Sequence, residues 1–222
     1  MTTIESILVN FLESYMQDCM VCLPAVVLNV RDAGELRVDC QPISNREFKD
    51  GTVSEYPAIL SIPVIQPSSG NSAVLMPIKQ GDTVLLVFAQ RNIDTFKAGS
   101  TLPYDPEDRR WMNLQDAVAI AGINPFNKSP NLPSRHKLPH STEDMVVVHN
   151  LGTARECELR LKPNGDMEAT GNTLTTKFNN VIHNSDVVVN GVSLTAFINT
   201  HAHPYTDDGN PMVTSPALPV GV

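Results

Sequence analysis

The sequence predicts an all-β protein, and three observations carry that reading. From Leu23 onward, short runs of alternating apolar and polar residues follow one another. Seventeen prolines and twelve glycines in 222 residues punctuate those runs with turns. No sustained helical stripe separates the runs. Together these favour packed strands over alternating strand–helix units.

The one clear helix comes first. Over residues 2–17, Ile4, Ile7, Leu8, Phe11, Leu12, Tyr15 and Met16 follow i, i+3, i+4, i+7 spacing. Thr2 with Glu5 fits a capping box. The stripe must dock on something, either its own barrel or a neighbour.

Strands are then expected over 25–30 and 35–40, on either side of the turn Arg31-Asp32-Ala33-Gly34. A third, over 56–65, contains Pro57 and Pro63, which suit an edge or bent strand. After a short strand over 73–76, Lys79-Gln80-Gly81-Asp82 turns into an apolar strand over 83–88. The segment 105–110 is a charged turn that could open a short helix, and Asp116-Ala117-Val118-Ala119-Ile120 is a short strand or buried turn. So many strands in so short a span, with no helical crossover, point to a small barrel, with the OB-fold as the best match.

The expected organisation is a helix over 1–20, an OB-fold barrel over 21–125 and a proline-rich linker over 126–144. A shaft over 145–198 and an apex over 199–222 follow. In the shaft, 145–149 is a strand, and Cys157, Leu159 and Leu161 alternate with Glu158, Arg160 and Lys162. Further on, Leu174, Thr176 and Phe178, then Val187 and Val189, then Val192 and Leu194, are short strand units between Asn/Gly/Asp turns. About 50 such residues cannot bury a useful core alone. Short strand units are stable when stacked, so the missing neighbours are other chains, and an intertwined β-helical prism is expected.

Composition excludes several functions. A net charge of −8 and a pI near 5.1 disfavour nucleic acid. An OB-fold binder of single strands would need a basic groove with stacking aromatics. Cys19, Cys22, Cys40 and Cys157 form no disulfide framework, and buried thiols in a reducing compartment are expected. No apolar stretch reaches the ~20 residues of a membrane span, so a soluble protein made in a cytoplasm is expected. No G-x-S-x-G, H-E-x-x-H, G-x-G-x-x-G or P-loop occurs, and no catalytic residues are expected.

The sharpest feature is His201-Ala202-His203. Phe197, Asn199, His201 and His203 share one parity, so on a strand both imidazoles face one point until Pro204 stops it. Two ligands are too few for a closed site, which asks for symmetry. Three copies would surround one ion with six nitrogens, which suits Fe(II), Co(II) or Ni(II) better than four-coordinate zinc. Such a filled site is structural. The pattern H-x-H-x-D-H of metallohydrolases is broken by Pro204, Tyr205 and Thr206. His136 and His140 are read as solvated linker residues, and His149 and His183 as satisfied polar positions.

The order of these parts resembles the central membrane-puncturing spike proteins of contractile-tailed bacteriophages. The likeness rests on Lys79-Gln80-Gly81-Asp82-Thr83-Val84-Leu85-Leu86-Val87-Phe88, on Leu114-Gln115-Asp116-Ala117-Val118 through Gly122 and Pro125, and on Thr200-His201-Ala202-His203-Pro204. It implies a homotrimer with an OB-fold domain, a tapering three-chain β-helix and a pointed apex. It also implies one iron (Fe2+) per trimer, with His201 and His203 as the ligands. Baseplate hub proteins at the N-terminal end, the host outer membrane as mechanical target, and a place at the virion's baseplate tip follow from the same likeness. The equivalent spike of a phage-derived contractile machine, a tailocin, is the alternative with the same physical task.

Overall fold

The computed structural model describes residues 3–48, 50–106, 108–200, 204–207 and 210–213. The chain divides into two compact units, Met1–Thr170 and Gly171–Val222. No helix among the described residues is long and apolar enough to cross a membrane.

The first unit opens with α1 (Ile4–Asp18). Its cap is Thr3, one residue later than the expected Thr2–Glu5 box. Thr3 has extended backbone, so its Oγ1 accepts from the Ser6 amide at 3.3 Å, and Ser6 Oγ donates to the Thr3 carbonyl at 2.8 Å. The apolar stripe faces solvent in the single chain: Ile4 is 87% exposed and Met16 67%. Near its end, the Tyr15 ring meets Trp111 at 5.8 Å.

Five strands then close a barrel: β1 (Cys22–Asp32), β2 (Arg37–Pro42), β3 (Ile59–Ile65), β4 (Thr83–Phe88) and β5 (Ala117–Ala121). Their order is β1-β2-β3-β5-β4, with β4 returning to β1 and one parallel pair, β3 with β5. Alternation along each strand sends Val27, Val38, Cys40, Ile62, Val84 and Leu86 inward. Ala25, Ala117 and Ala119 are also fully buried, and small residues beside large ones let so narrow an interior fill. The fold is thus mainly β around a small closed barrel, with few helices.

Two proline positions behave differently. Pro63 pairs with Arg37 inside the barrel, where a register shift between Val38 and Cys40 bends β3. Pro57 lies before the strand. At the bend Ser61 has φ 56°, and its amide donates to Asp39 Oδ1 at 2.9 Å. The same oxygen accepts from Arg31 Nε at 2.6 Å. Of the two options that proline left open, the strand is bent.

The described residues of 105–110 form no helix. The short α2 is Asp94–Lys97, started by Asn92, whose Oδ1 accepts from the Asp94 amide at 2.7 Å. Arg110 instead spends its guanidinium on the buried Asp116, donating from Nε at 2.9 Å and from Nη2 at 3.1 Å. The segment 126–144 carries two 3-10 turns, Phe126–Lys128 and Pro133–Arg135. It leads into an antiparallel meander, β6 (Met145–His149), β7 (Cys157–Leu161) and β8 (Met167–Thr170).

In the second unit, β9 (Val188–Val189) and β10 (Val192–Ser193) form a hairpin. Asn190 and Gly191 both have positive φ, 50° and 79°, as a tight primed turn requires. The expected strand through Phe197 and Asn199 is instead a helix, α3 (Leu194–Thr200). Ser193 Oγ accepts from the Ala196 amide at 2.9 Å, and Asp186 Oδ1 from the Thr195 amide at 3.0 Å, which together satisfy its first turn. Residues two apart on a helix point about 200° apart, so the parity expected of a strand does not apply over α3. Pro204 opens a strand rather than stopping one: β11 (Pro204–Asp207) pairs with β12 (Asn210–Val213). A strand's first residue tolerates proline.

Candidate assembly surface and metal ligands

The meander is built inside out. Its register stacks Met145 beside Leu161 and Val147 beside Leu159, and Leu161 in turn beside Met167. These side chains share one face by the period of two, and in the single chain they are 41–70% exposed. The opposite face carries Glu158 and Arg160, which are buried. An ordinary half-buried sheet shows the reverse pattern. Glu158 and Arg160, with Val146 and Val148 half-buried opposite them, therefore form the inner layer, and the face of Met145, Val147, Leu159, Leu161 and Met167 is left open.

The cover over the charged face is the segment before β6. Arg160 donates to Asp144 at 2.8 Å and, from Nε and Nη2, to Glu158 at 2.8–3.1 Å. Glu156 accepts from the amides of Lys137 and Leu138, and from Gly152 as well. Burial pushes the Glu156 carboxyl up, but the Gly152, Lys137 and Leu138 amides outweigh it and hold the group below its usual value. Gly152 permits the contact, since a Cβ there would stand 2.7 Å from the Arg135 carbonyl oxygen.

His136 and His140 are part of this layer, not solvated linker residues. Their rings stack with centroids 3.7 Å apart, and the His136 side chain is 1% exposed. Burial first, then the neighbouring His136, pushes the His140 imidazole below its ordinary value. The cluster escapes a sequence reading because its members come from three places in the chain. The available signal is charge at alternate positions 156, 158 and 160, which reads equally well as a solvent face.

Other expectations resolve at the residue level. The four cysteines are free, and of them Cys40 is buried, its thiol pushed up to about 12 by burial and the Asp39 charge. Cys22 is exposed, against expectation, because its parity on β1 is opposite to that of Ala25 and Val27. His201 and His203 lie outside the described residues. The alternation at Leu174, Thr176 and Phe178 forms no strand within the chain, and Leu174, Phe178, Val181 and Ile182 are all exposed.

Residues 23–122 match a family model, that of the phage protein Gp138 N-terminal domain. The match coincides with the barrel and supports a phage structural protein, with the virion association that this suggests. No curated protein matches the chain.

Proposed function

We propose that the chain is one third of a homotrimeric spike at the tip of a contractile phage tail, which pierces the host outer membrane when the sheath contracts. The observation that carries this reading is the open apolar face of the meander, Met145, Val147, Leu159, Leu161 and Met167, backed by a buried ionic layer. A sheet that turns its charges inward and its apolar side chains outward needs a partner on the outward face. Copies of the same chain around a threefold axis supply one, with no free edge or apolar patch left over. The exposed stripe of α1 and the exposed Leu174, Phe178, Val181 and Ile182 ask for the same cover. The phage match at the barrel favours a virion part.

In this reading the barrel and α1 face the baseplate hub, and the shaft carries the load. His201 and His203 of three chains hold one Fe2+ at the apex, clamping ends that would otherwise fray. The role is mechanical, without catalysis or nucleic-acid binding. Light scattering tests the assembly: a particle of three times the 24.2 kDa chain mass supports it, and a monomer sinks it. Replacing both histidines with alanine removes the iron and leaves the trimer intact. A tailocin spike performs the same task, and capsid genes beside the coding sequence separate the two origins.

A further inference from the structure

The ionic layer under the meander is out of balance. Glu156, Glu158 and Asp144 supply three carboxylates against the single guanidinium of Arg160, and each of these side chains is at most 8% exposed. Buried charge without a counter-charge costs several kcal/mol per ion. Two positive charges are needed to balance the set.

His136 shows where they belong. Its Nε2 lies 2.8 Å from the Pro130 carbonyl oxygen, which can only accept, so Nε2 carries the hydrogen. In the neutral ring Nδ1 is then a lone pair. That nitrogen is buried and has no hydrogen-bond partner among the described residues. It stands 3.4 Å from Glu156 Oε1, close enough for an ion pair but without hydrogen-bond geometry. Two lone pairs facing each other repel, and a cation between them turns the repulsion into coordination.

We propose that His136, Glu156 and Glu158 bind one divalent transition-metal ion of the zinc class, which pins the 126–144 segment to the meander. A ring nitrogen of His136 and one oxygen from each carboxylate lie within 4.8 Å of one another. Ligands of a tetrahedral zinc ion at its usual bond lengths stand about 3.4 Å apart, so a modest closing of three side chains suffices. The ion brings the layer to neutrality. One nitrogen with carboxylate oxygens suits a borderline metal better than calcium or magnesium, which take all-oxygen shells. Glu158 keeps Arg160, because a carboxylate has about four lone-pair sites. The proposal does not depend on the spike reading.

The test uses the full chain, untagged, with His201→Ala and His203→Ala so that any apex site is removed. After chelation and dialysis it is titrated with zinc chloride near neutral pH, and bound metal is counted by mass spectrometry. The expected count is about one zinc per chain, unlike the one per three chains of an apex ion. Adding His136→Ala returns the count to background. X-ray absorption of the zinc-loaded protein should show one imidazole among oxygen ligands, a readout that needs no variant at His136 if that variant fails to fold. Less than about one-fifth of a zinc per chain overturns the site. Two or more imidazoles in the shell, or binding unchanged in a folded His136→Ala chain, overturns it too. A wild-type chain without iron would count against the apex alone.

Discussion

Asp39 and Asp116 show how far single residues reach in this barrel. Each is a buried carboxylate that serves a backbone amide and one arginine. Asp39 joins Ser61 and Arg31, and Asp116 joins Ile93 and Arg110. Asp39→Ala leaves the Ser61 amide and Arg31 unpaired and should cost about 1–3 kcal/mol in denaturant unfolding. Asp116→Ala leaves the Ile93 amide without its acceptor, while Arg110 keeps Asp94 and Asp108, and should cost about 1–3 kcal/mol by the same measurement. Burial alone would push the Asp39 carboxyl up, but the Arg31 and Ser61 hydrogen bonds more than reverse it. A carboxyl depressed in the fold stabilises above its unfolded value of 3.8 and stops doing so as pH falls through its folded value. Wild type should therefore lose more stability than Asp39→Asn as pH falls from 3.8 through the lower folded value. Equal acid profiles for the two proteins would remove Asp39 from the account. These groups are not legible in the sequence, because the amides they serve lie 22 and 23 residues away. An acidic residue read locally is a solvent residue. His136 and His140 escape a local reading for the same reason.

At the scale of elements, legibility follows the strength of the local pattern. The strands over 83–88 and 145–149 fall where alternation and turn residues place them, since both their faces and their ends are written in neighbouring residues. Helix α1 is equally plain, down to its stripe, with its cap displaced by one residue. Helix α3 is not: its seven residues are too few for periodicity to outweigh the expected strand parity, and its start depends on Ser193 and Asp186 side chains. The meander's inversion is also hidden, because alternation reveals two faces without saying which one is covered. Gly152→Ala tests that cover. Its φ of 75° and the 2.7 Å approach to Arg135 predict a loss of roughly 1–3 kcal/mol in thermal unfolding, with the barrel strands unaffected by hydrogen exchange. Val147→Asp tests the open face. Val147 is exposed in the single chain, so the barrel should stay folded while the assembly falls to monomers in gel filtration. A trimer that tolerates Val147→Asp would place the contact elsewhere.

At the scale of the molecule, the barrel and the open apolar surfaces belong to different jobs. The barrel closes on itself, with its core complete in one chain. The α1 stripe, the meander face and the 171–187 segment are incomplete in one chain, and three copies would complete them together. The short strand units of the sequence lead to the same proposal of partner chains that these open faces support. The number of chains is not legible there, because apolar residues fix the area to be covered and leave the symmetry open. The phage match at residues 23–122 is consistent with a structural part of a virion. The central claim is that three chains close around one apex iron, and multi-angle light scattering coupled to iron analysis of the same peak tests it most directly. The account predicts a particle of three times 24.2 kDa carrying a single iron held by His201 and His203. A monomer, or a trimer with no iron, would contradict it.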